Sequence, residues 1–156
     1  KYSNAIEKFE KKHASKIIFE PGRSIIGDTA LLVSKIIYLK DNNSKVFVIL
    51  DAAMNDMMRP ALYGAKHQIL PAFRNKKRSI KTYEFVGPIC ESSDTFGVYK
   101  KYAKLKEGDY VCVTNCGAYG RTLSSNYNMR PFIEEIVVNN NKYKTVRKRQ
   151  KIENLI

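Results

Sequence analysis

The chain has 156 residues, 44% of them hydrophobic, and 28 Lys and Arg against 15 Asp and Glu, a formal charge of +13. That length buries one real core and is short for most two-domain enzymes, so one compact domain is expected. No apolar run approaches the roughly 18 residues that cross a bilayer as a helix, so no membrane partner is expected. Three cysteines, an odd number, give no disulfide framework, and a reducing, cytoplasmic setting is expected.

The basic residues gather in RNKKRSIK (residues 74–81) and KYKTVRKRQK (residues 142–151). In the second, Tyr143 and Val146 interrupt the charge in the manner of an exposed strand, and lysines on edge strands prevent unwanted pairing. A solvated face is therefore preferred to a nucleic-acid groove, and no nucleic-acid partner is expected.

Periodicity orders the elements. Residues 3–14 read as a helix with Ser3 as N-cap and apolar positions at Ala5, Ile6 and Phe9. SKIIFE (residues 15–20) reads as a short strand stopped by Pro21-Gly22, and residues 24–39 as two strand segments around Gly27-Asp28. After a turn at DNNS, KVFVILD (residues 45–51) is a continuous apolar run, expected to be a strand buried on both faces. A helix is inserted near 55–70; Pro60 is tolerated only in its first turn, so it starts near Arg59, which places Tyr63 on the same face. Residues 79–86, 109–115, 132–138 and 143–149 read as strands, the last two joined by an NNNK hairpin turn. The fold class is α+β, mainly β.

Four short stretches carry chemistry. In FEPGRSIIG a strand end opens on Gly22, which lets backbone N–H groups approach a ligand, beside the Arg23 guanidinium; this suits phosphate or carboxylate, although a turn with a surface arginine has the same pattern. RPALY sets Arg59 and Tyr63 on one helical face, as a carboxylate clamp or as the flank of a core. CGAYG places Tyr119 between glycines after a strand, to reach a ligand oxygen or to pack flat. GPICESSDTFG puts Cys90 and Glu91 in a loop, where reactive groups concentrate, rather than in an apolar run such as that around Cys112. Cys112 and Cys116 lack the C-x-x-C spacing of a zinc site, so no metal is expected. A Cys90–His67 nucleophilic pair is conceivable but has no accompanying oxyanion-hole motif.

In order, EPGR, RPALY, CESSD and GAYG resemble the C-terminal portion of the diaminopimelate decarboxylase family, pyridoxal-phosphate enzymes grouped with ornithine and arginine decarboxylases of alanine-racemase-like fold. The resemblance runs from about Ser15 to the end of the chain. It implies residues 1–22 as the last helix and strand of a truncated (β/α)8 cofactor barrel, and residues 23–156 as a C-terminal β-sandwich or barrel-like domain. It implies pyridoxal 5'-phosphate as cofactor, held at Glu20, Pro21, Gly22, Arg23 and Tyr119. The substrate would be meso-diaminopimelate, bound by Arg23, Arg59, Tyr63, Glu91 and Tyr119 and decarboxylated to L-lysine. Cys90 would be the catalytic proton donor and, with Glu91, would complete the site of the partner in a homodimer. Glu rather than Asp after the cysteine favours diaminopimelate within the group, and Asp94 shapes the loop. The family's Schiff-base lysine has no counterpart here, so the chain alone is expected to be inactive. Two rival readings are a basic β module that binds nucleic acid, with tyrosines as stacking platforms, and a non-catalytic dimerisation domain.

Overall fold

The computed structural model describes residues 1–74 and 77–155. Part of the basic stretch 74–81 thus lies outside the described residues. Helix α1 (Tyr2–His13) opens the chain, with Lys1 at the cap position and no side-chain cap bond. Ser3 lies inside the first turn and does not make the expected cap. The helix ends at Ala14 in left-handed conformation, and the Phe9 and His13 rings lie 4.4 Å apart on one face.

Residues 15–20 form no strand; Ile18 and Phe19 are exposed, and no described strand pairs with them. An apolar run becomes a strand only where a neighbour takes its backbone N–H and C=O groups. Residues 24–39 also divide differently from expectation. Helix α2 (Arg23–Ile26) and a 3-10 turn (Gly27–Thr29) precede a single long strand, β1 (Leu32–Asn42). The Ile25 N–H donates to the Gly22 carbonyl and the Gly27 N–H to that of Arg23, closing helical turns over the β-branched residues.

From β1 onwards the alternation is faithful. Leu32, Ser34 and Ile36 point into the core while Val33, Lys35 and Ile37 point out. A two-residue turn at Asn43-Ser44 leads to β2 (Lys45–Leu50), antiparallel to β1. Val46, Val48 and Leu50 are buried, but Lys45, Phe47 and Ile49 are only half-buried. The apolar run expected to be buried on both faces therefore has one face in the core.

Helix α3 (Arg59–Tyr63) starts where Pro60 predicts and stops after five residues rather than continuing to 70. Gly64 ends it at φ 62°, its N–H returning to the Arg59 and Pro60 carbonyls. The chain then enters β3 (Ile69–Pro71), β4 (Thr82–Val86), β5 (Thr95–Tyr99) and β6 (Tyr110–Val113). One six-stranded sheet results, in the order β3-β6-β1-β2-β4-β5. Among the described residues only β2 and β4 pair in parallel, and their crossover carries α3 and β3.

The core lies on the inner face of this sheet. Ile36, Val48, Leu50, Phe85, Val111 and Val113 are wholly buried, and Phe85 meets Tyr99 and Tyr102 edge-on at 5.4 and 5.2 Å. Buried Ser34 donates to Asp51 (2.6 Å) and accepts the Ala52 N–H (3.1 Å), tying β1 to the exit of β2. A separate hairpin of β7 (Glu135–Asn139) and β8 (Lys142–Arg147) turns at Asn140-Asn141, both at positive φ, and holds most of the second basic stretch on exposed residues. The architecture is α+β with the β part dominant, as expected.

Candidate functional site

The loop after β6 is pressed onto the segment that follows Gly22. The Gly117 N–H donates to the Gly27 carbonyl (3.1 Å) and the Cys116 N–H to that of Ala30 (3.0 Å). A Cβ at position 117 would lie 1.9 Å from the Ile26 carbonyl oxygen, so only glycine permits this approach. The contact carries Tyr119 over Gly22: a Cβ on Gly22 would meet the Tyr119 hydroxyl at 3.2 Å. Tyr119 itself has φ 63°, unusual for a residue with a side chain and found where surrounding structure enforces it. EPGR and GAYG, distant in sequence, thus form one corner, with a phenol facing an unobstructed backbone. Glu20 and Pro21 lead into it and are exposed.

Beside this corner stand two guanidiniums. Arg59 opens α3 and donates from Nη1 to Nε2 of buried His67 (3.2 Å), while His67 Nδ1 bonds to the Thr114 carbonyl (2.8 Å). Burial holds the His67 pKa below the ordinary value; the Thr114 carbonyl opposes this, and the charges of Arg59 and Arg23 add to the depression. Both arginines therefore lie close enough to the ring to be felt by it. Cys116 completes the surroundings, its thiol pushed up to about 11 by burial and kept protonated. Tyr63 follows Arg59 by four positions and is exposed. The nucleophilic pairing of His67 with Cys90 is not formed, because both ring nitrogens are engaged elsewhere.

Cys90 and Glu91 occupy the loop between β4 and β5, and both are exposed. The loop is organised by Asp94, which is buried. Its Oδ2 accepts the Ile89 N–H (2.9 Å) and its Oδ1 the Met54 N–H (2.7 Å). A Cβ on Gly87 would fall 2.2 Å from the Asp94 carboxylate, so the glycine makes room for the brace. Burial raises the Asp94 pKa, against the opposing pull of those N–H donors. Glu91 accepts from the Ser93 N–H (3.3 Å), which helps hold its pKa below the usual carboxylate value. Among the described residues, no hydrogen bond or ion pair links Cys90 or Glu91 to Gly22, Arg23, Arg59, Tyr63 or Tyr119. Of the seven candidate residues outside the loop, Gly22, Arg23, Arg59 and Tyr119 are brought into one neighbourhood with Glu20 and Pro21 leading into it, Tyr63 stands exposed on α3, and the thiol loop forms a second neighbourhood.

This combination has a known counterpart. Residues 24–117 match the family model described as the C-terminal sheet domain of pyridoxal-dependent decarboxylases. The chain belongs to that family. A diaminopimelate decarboxylase from Vibrio cholerae is 44% identical over 155 residues, which is 99% of this chain and 37% of that protein. One from Aquifex aeolicus is 42% identical over 142 residues, 91% of this chain and 34% of the relative. Among solved structures, that of diaminopimelate decarboxylase from Helicobacter pylori complexed with L-lysine superposes with a TM-score of 0.86 at 40% identity, covering 99% of this chain and 38% of that one. The chain thus spans little more than a third of the length of these relatives.

Within this sheet domain, two features escaped sequence reasoning. In the sequence His67 stands as a candidate partner for Cys90, and a lone histidine after a short helix gives no sign that it will bond to an arginine eight positions earlier. Arg130 was not singled out, yet it closes a buried network: it pairs with Asp56 (3.6 Å), donates to Asn55 Oδ1 (2.9 Å) and reaches the Asp51 carbonyl (2.5 Å). That network fixes the segment between β2 and α3, and hence the start of α3.

Proposed function

We propose that this chain is the C-terminal portion of a diaminopimelate decarboxylase, acting on meso-2,6-diaminopimelate to release CO2 and L-lysine, in the cytoplasm, with pyridoxal 5'-phosphate as cofactor. The observation that carries the reading is the corner in which the Tyr119 hydroxyl faces Gly22 beside Arg23 and Arg59. Its donors suit a dianionic phosphate and a carboxylate: an open glycine backbone, a phenol and two cationic forks. A side chain at position 22 would enter the same space, so the corner fits the cofactor's phosphate. When bound, pyridoxal phosphate supplies a ring that accepts the electron pair released as the Cα–carboxylate bond breaks.

The chain's own residues then have defined tasks. Gly22 and Tyr119 hold the phosphate, with Glu20 and Pro21 shaping the approach. Arg23 and Arg59 receive carboxylates, Arg59 with Tyr63 at the substrate's far end, where a planar fork suits a planar anion. Cys90 delivers a proton to the carbon that loses CO2, and Glu91, held anionic by its serine neighbours, binds the distal ammonium. Cys90 and Glu91, which share no hydrogen bond or ion pair with the corner among the described residues, serve the site of a second copy in a homodimer. Residues 1–22 are the last elements of the preceding barrel domain, and residues 23–156 the β domain. The chain alone is inactive, since the lysine that carries the cofactor lies outside it.

The test joins this chain behind the N-terminal part of the Helicobacter pylori relative, the part that it does not cover. The chimera is expected to release CO2 from meso-diaminopimelate, and Cys90→Ala to remove most of that turnover. The isolated 156-residue chain, given cofactor and substrate, is expected to yield no CO2. Turnover by the isolated chain, or a chimera that prefers ornithine, overturns the reading.

A further inference from the structure

His67 is one of few buried polar residues, and nothing in the reaction above uses it. Its partners fix its chemistry. The Thr114 carbonyl can only accept, so His67 Nδ1 carries the proton; a guanidinium can only donate, so Nε2 presents its lone pair to Arg59. An imidazolium would turn an N–H towards the Arg59 N–H and set a third positive charge beside Arg23 and Arg59.

The backbone around the ring is equally constrained. The His67 carbonyl accepts the Tyr99 hydroxyl of β5 (2.6 Å), the Gln68 carbonyl accepts the Thr114 N–H (2.9 Å), and Ile69 pairs with Val113 of β6. The ring is thus held from both sides by the sheet, while α3 is only five residues long and offers little rigidity of its own. The groups that act on the ring are Arg59 from α3, Arg23 from α2 and the Thr114 carbonyl; the protonated Cys116 thiol shares that carbonyl, and the Tyr99 phenol of β5 bonds to the His67 main chain.

We propose that His67 is a positioning residue for the carboxylate clamp: a neutral imidazole, protonated on Nδ1, that takes one of the five N–H donors of Arg59 and so aims the rest of the fork at the substrate's distal carboxylate. The role of the fork rests on the function proposed above; the tautomer and the His67–Arg59 bond do not.

The experiment therefore has two arms. In the 156-residue chain labelled with 15N-histidine, His67 is one of two histidines, and His13→Gln assigns its signals. Nδ1 is expected at the protonated position and Nε2 at the unprotonated, hydrogen-bonded one above the ordinary imidazole pKa of 6.5. Arg59→Gln is expected to move Nε2 and leave Nδ1 in place. The second arm compares two substitutions in the chimera. His67→Gln keeps an acceptor near Nε2, whereas His67→Asn keeps only the donor near Nδ1. His67→Asn is expected to raise KM for meso-diaminopimelate by about tenfold, the loss of one bond to a charged group, with kcat changed little, and His67→Gln to restore most of it. The KM effect of His67→Asn should vanish in an Arg59→Gln background. A proton on Nε2, or an Nε2 signal indifferent to Arg59, overturns the bond; equal KM values for His67→Asn and His67→Gln overturn the positioning role. If the nitrogen signals are as expected and the chimera ignores diaminopimelate, the function fails while the bond stands.

Discussion

Gly117→Ala tests the contact that builds the corner of Gly22 and Tyr119. The new methyl would lie 1.9 Å from the Ile26 carbonyl oxygen, 2.6 Å from Thr29 Oγ1 and 3.1 Å from the Ile26 carbonyl carbon. An ordinary C···O approach is about 3.3 Å, so the loop after β6 must retreat by more than an ångström. The Thr29 hydroxyl can rotate aside, but the Ile26 carbonyl cannot, because it is main chain and accepts the Thr29 hydroxyl. Retreat stretches the two backbone bonds that seat the loop, Gly117 to Gly27 and Cys116 to Ala30. Overpacking costs about 1–3 kcal/mol and each weakened bond about 0.5–1.5 kcal/mol, a loss of about 2–6 kcal/mol in all. Urea denaturation followed by tyrosine fluorescence suits a chain with ten tyrosines and no tryptophan. Gly108→Ala is the control: its Cβ would meet nothing within 4 Å, so only the cost of its positive φ is felt, about 1 kcal/mol. If Gly117→Ala lowers the urea midpoint no more than Gly108→Ala does, the steric argument is refuted.

Three further outcomes are expected. Asp94→Asn replaces one carboxylate oxygen by an NH2 group facing a backbone N–H; it should cost about 1–3 kcal/mol and speed amide exchange through residues 88–93, with little change elsewhere. Phe85→Ala should cost about 3–5 kcal/mol, because the ring is wholly buried among Tyr83, Tyr99 and Tyr102; unfolding by denaturant measures it. His67 has a depressed pKa, so below its ordinary value of 6.5 the unfolded chain takes up a proton that the folded chain resists. Its contribution is fully present above pH 6.5 and is lost as pH falls towards the lower folded value. The urea midpoint of the wild-type chain should therefore fall more between pH 7 and 5 than that of His67→Gln, and parallel curves would contradict the assignment.

The parts of the fold that were legible are those governed by neighbours in sequence. Pro60 marks the start of α3, the continuous apolar run of residues 45–51 marks β2 although only one of its faces is in the core, and NNNK marks the last hairpin, because each is decided within a few residues. The errors fall where a distant partner decides. SKIIFE has the composition of a strand but no ladder, and residues 24–29 coil into helical turns because the loop after β6 docks there. β5 was missed because Gly97, at φ 135°, interrupts its pattern. Gly64 ends α3, and Ile69 and Leu70, which continue the expected helix to 70, belong instead to β3. In the site, the short motifs pointed to Gly22, Arg23, Arg59, Tyr119 and Cys90, whereas His67 and Arg130 gained their roles only through contacts that no local pattern encodes.

The segment between β2 and α3 joins these contacts mechanically. Its Met54 N–H is held by Asp94, so it braces the loop that presents Cys90; four residues further on, Met58 stands at the N-cap position of the helix that begins with Arg59. Asn55 and Asp56 are buried and bound to Arg130, and the Ala53 N–H donates to Asp56 (2.9 Å), which leaves the segment few alternative conformations. The thiol loop and the first turn of α3 are therefore joined through the Asp94 carboxylate and the main chain of one short, braced segment. In a homodimer of the kind proposed, the Cys90 loop of one protomer enters its partner's site while Arg59 serves its own. The same short segment would then connect the two active sites, and closure of one thiol loop would bear on the carboxylate clamp of the other.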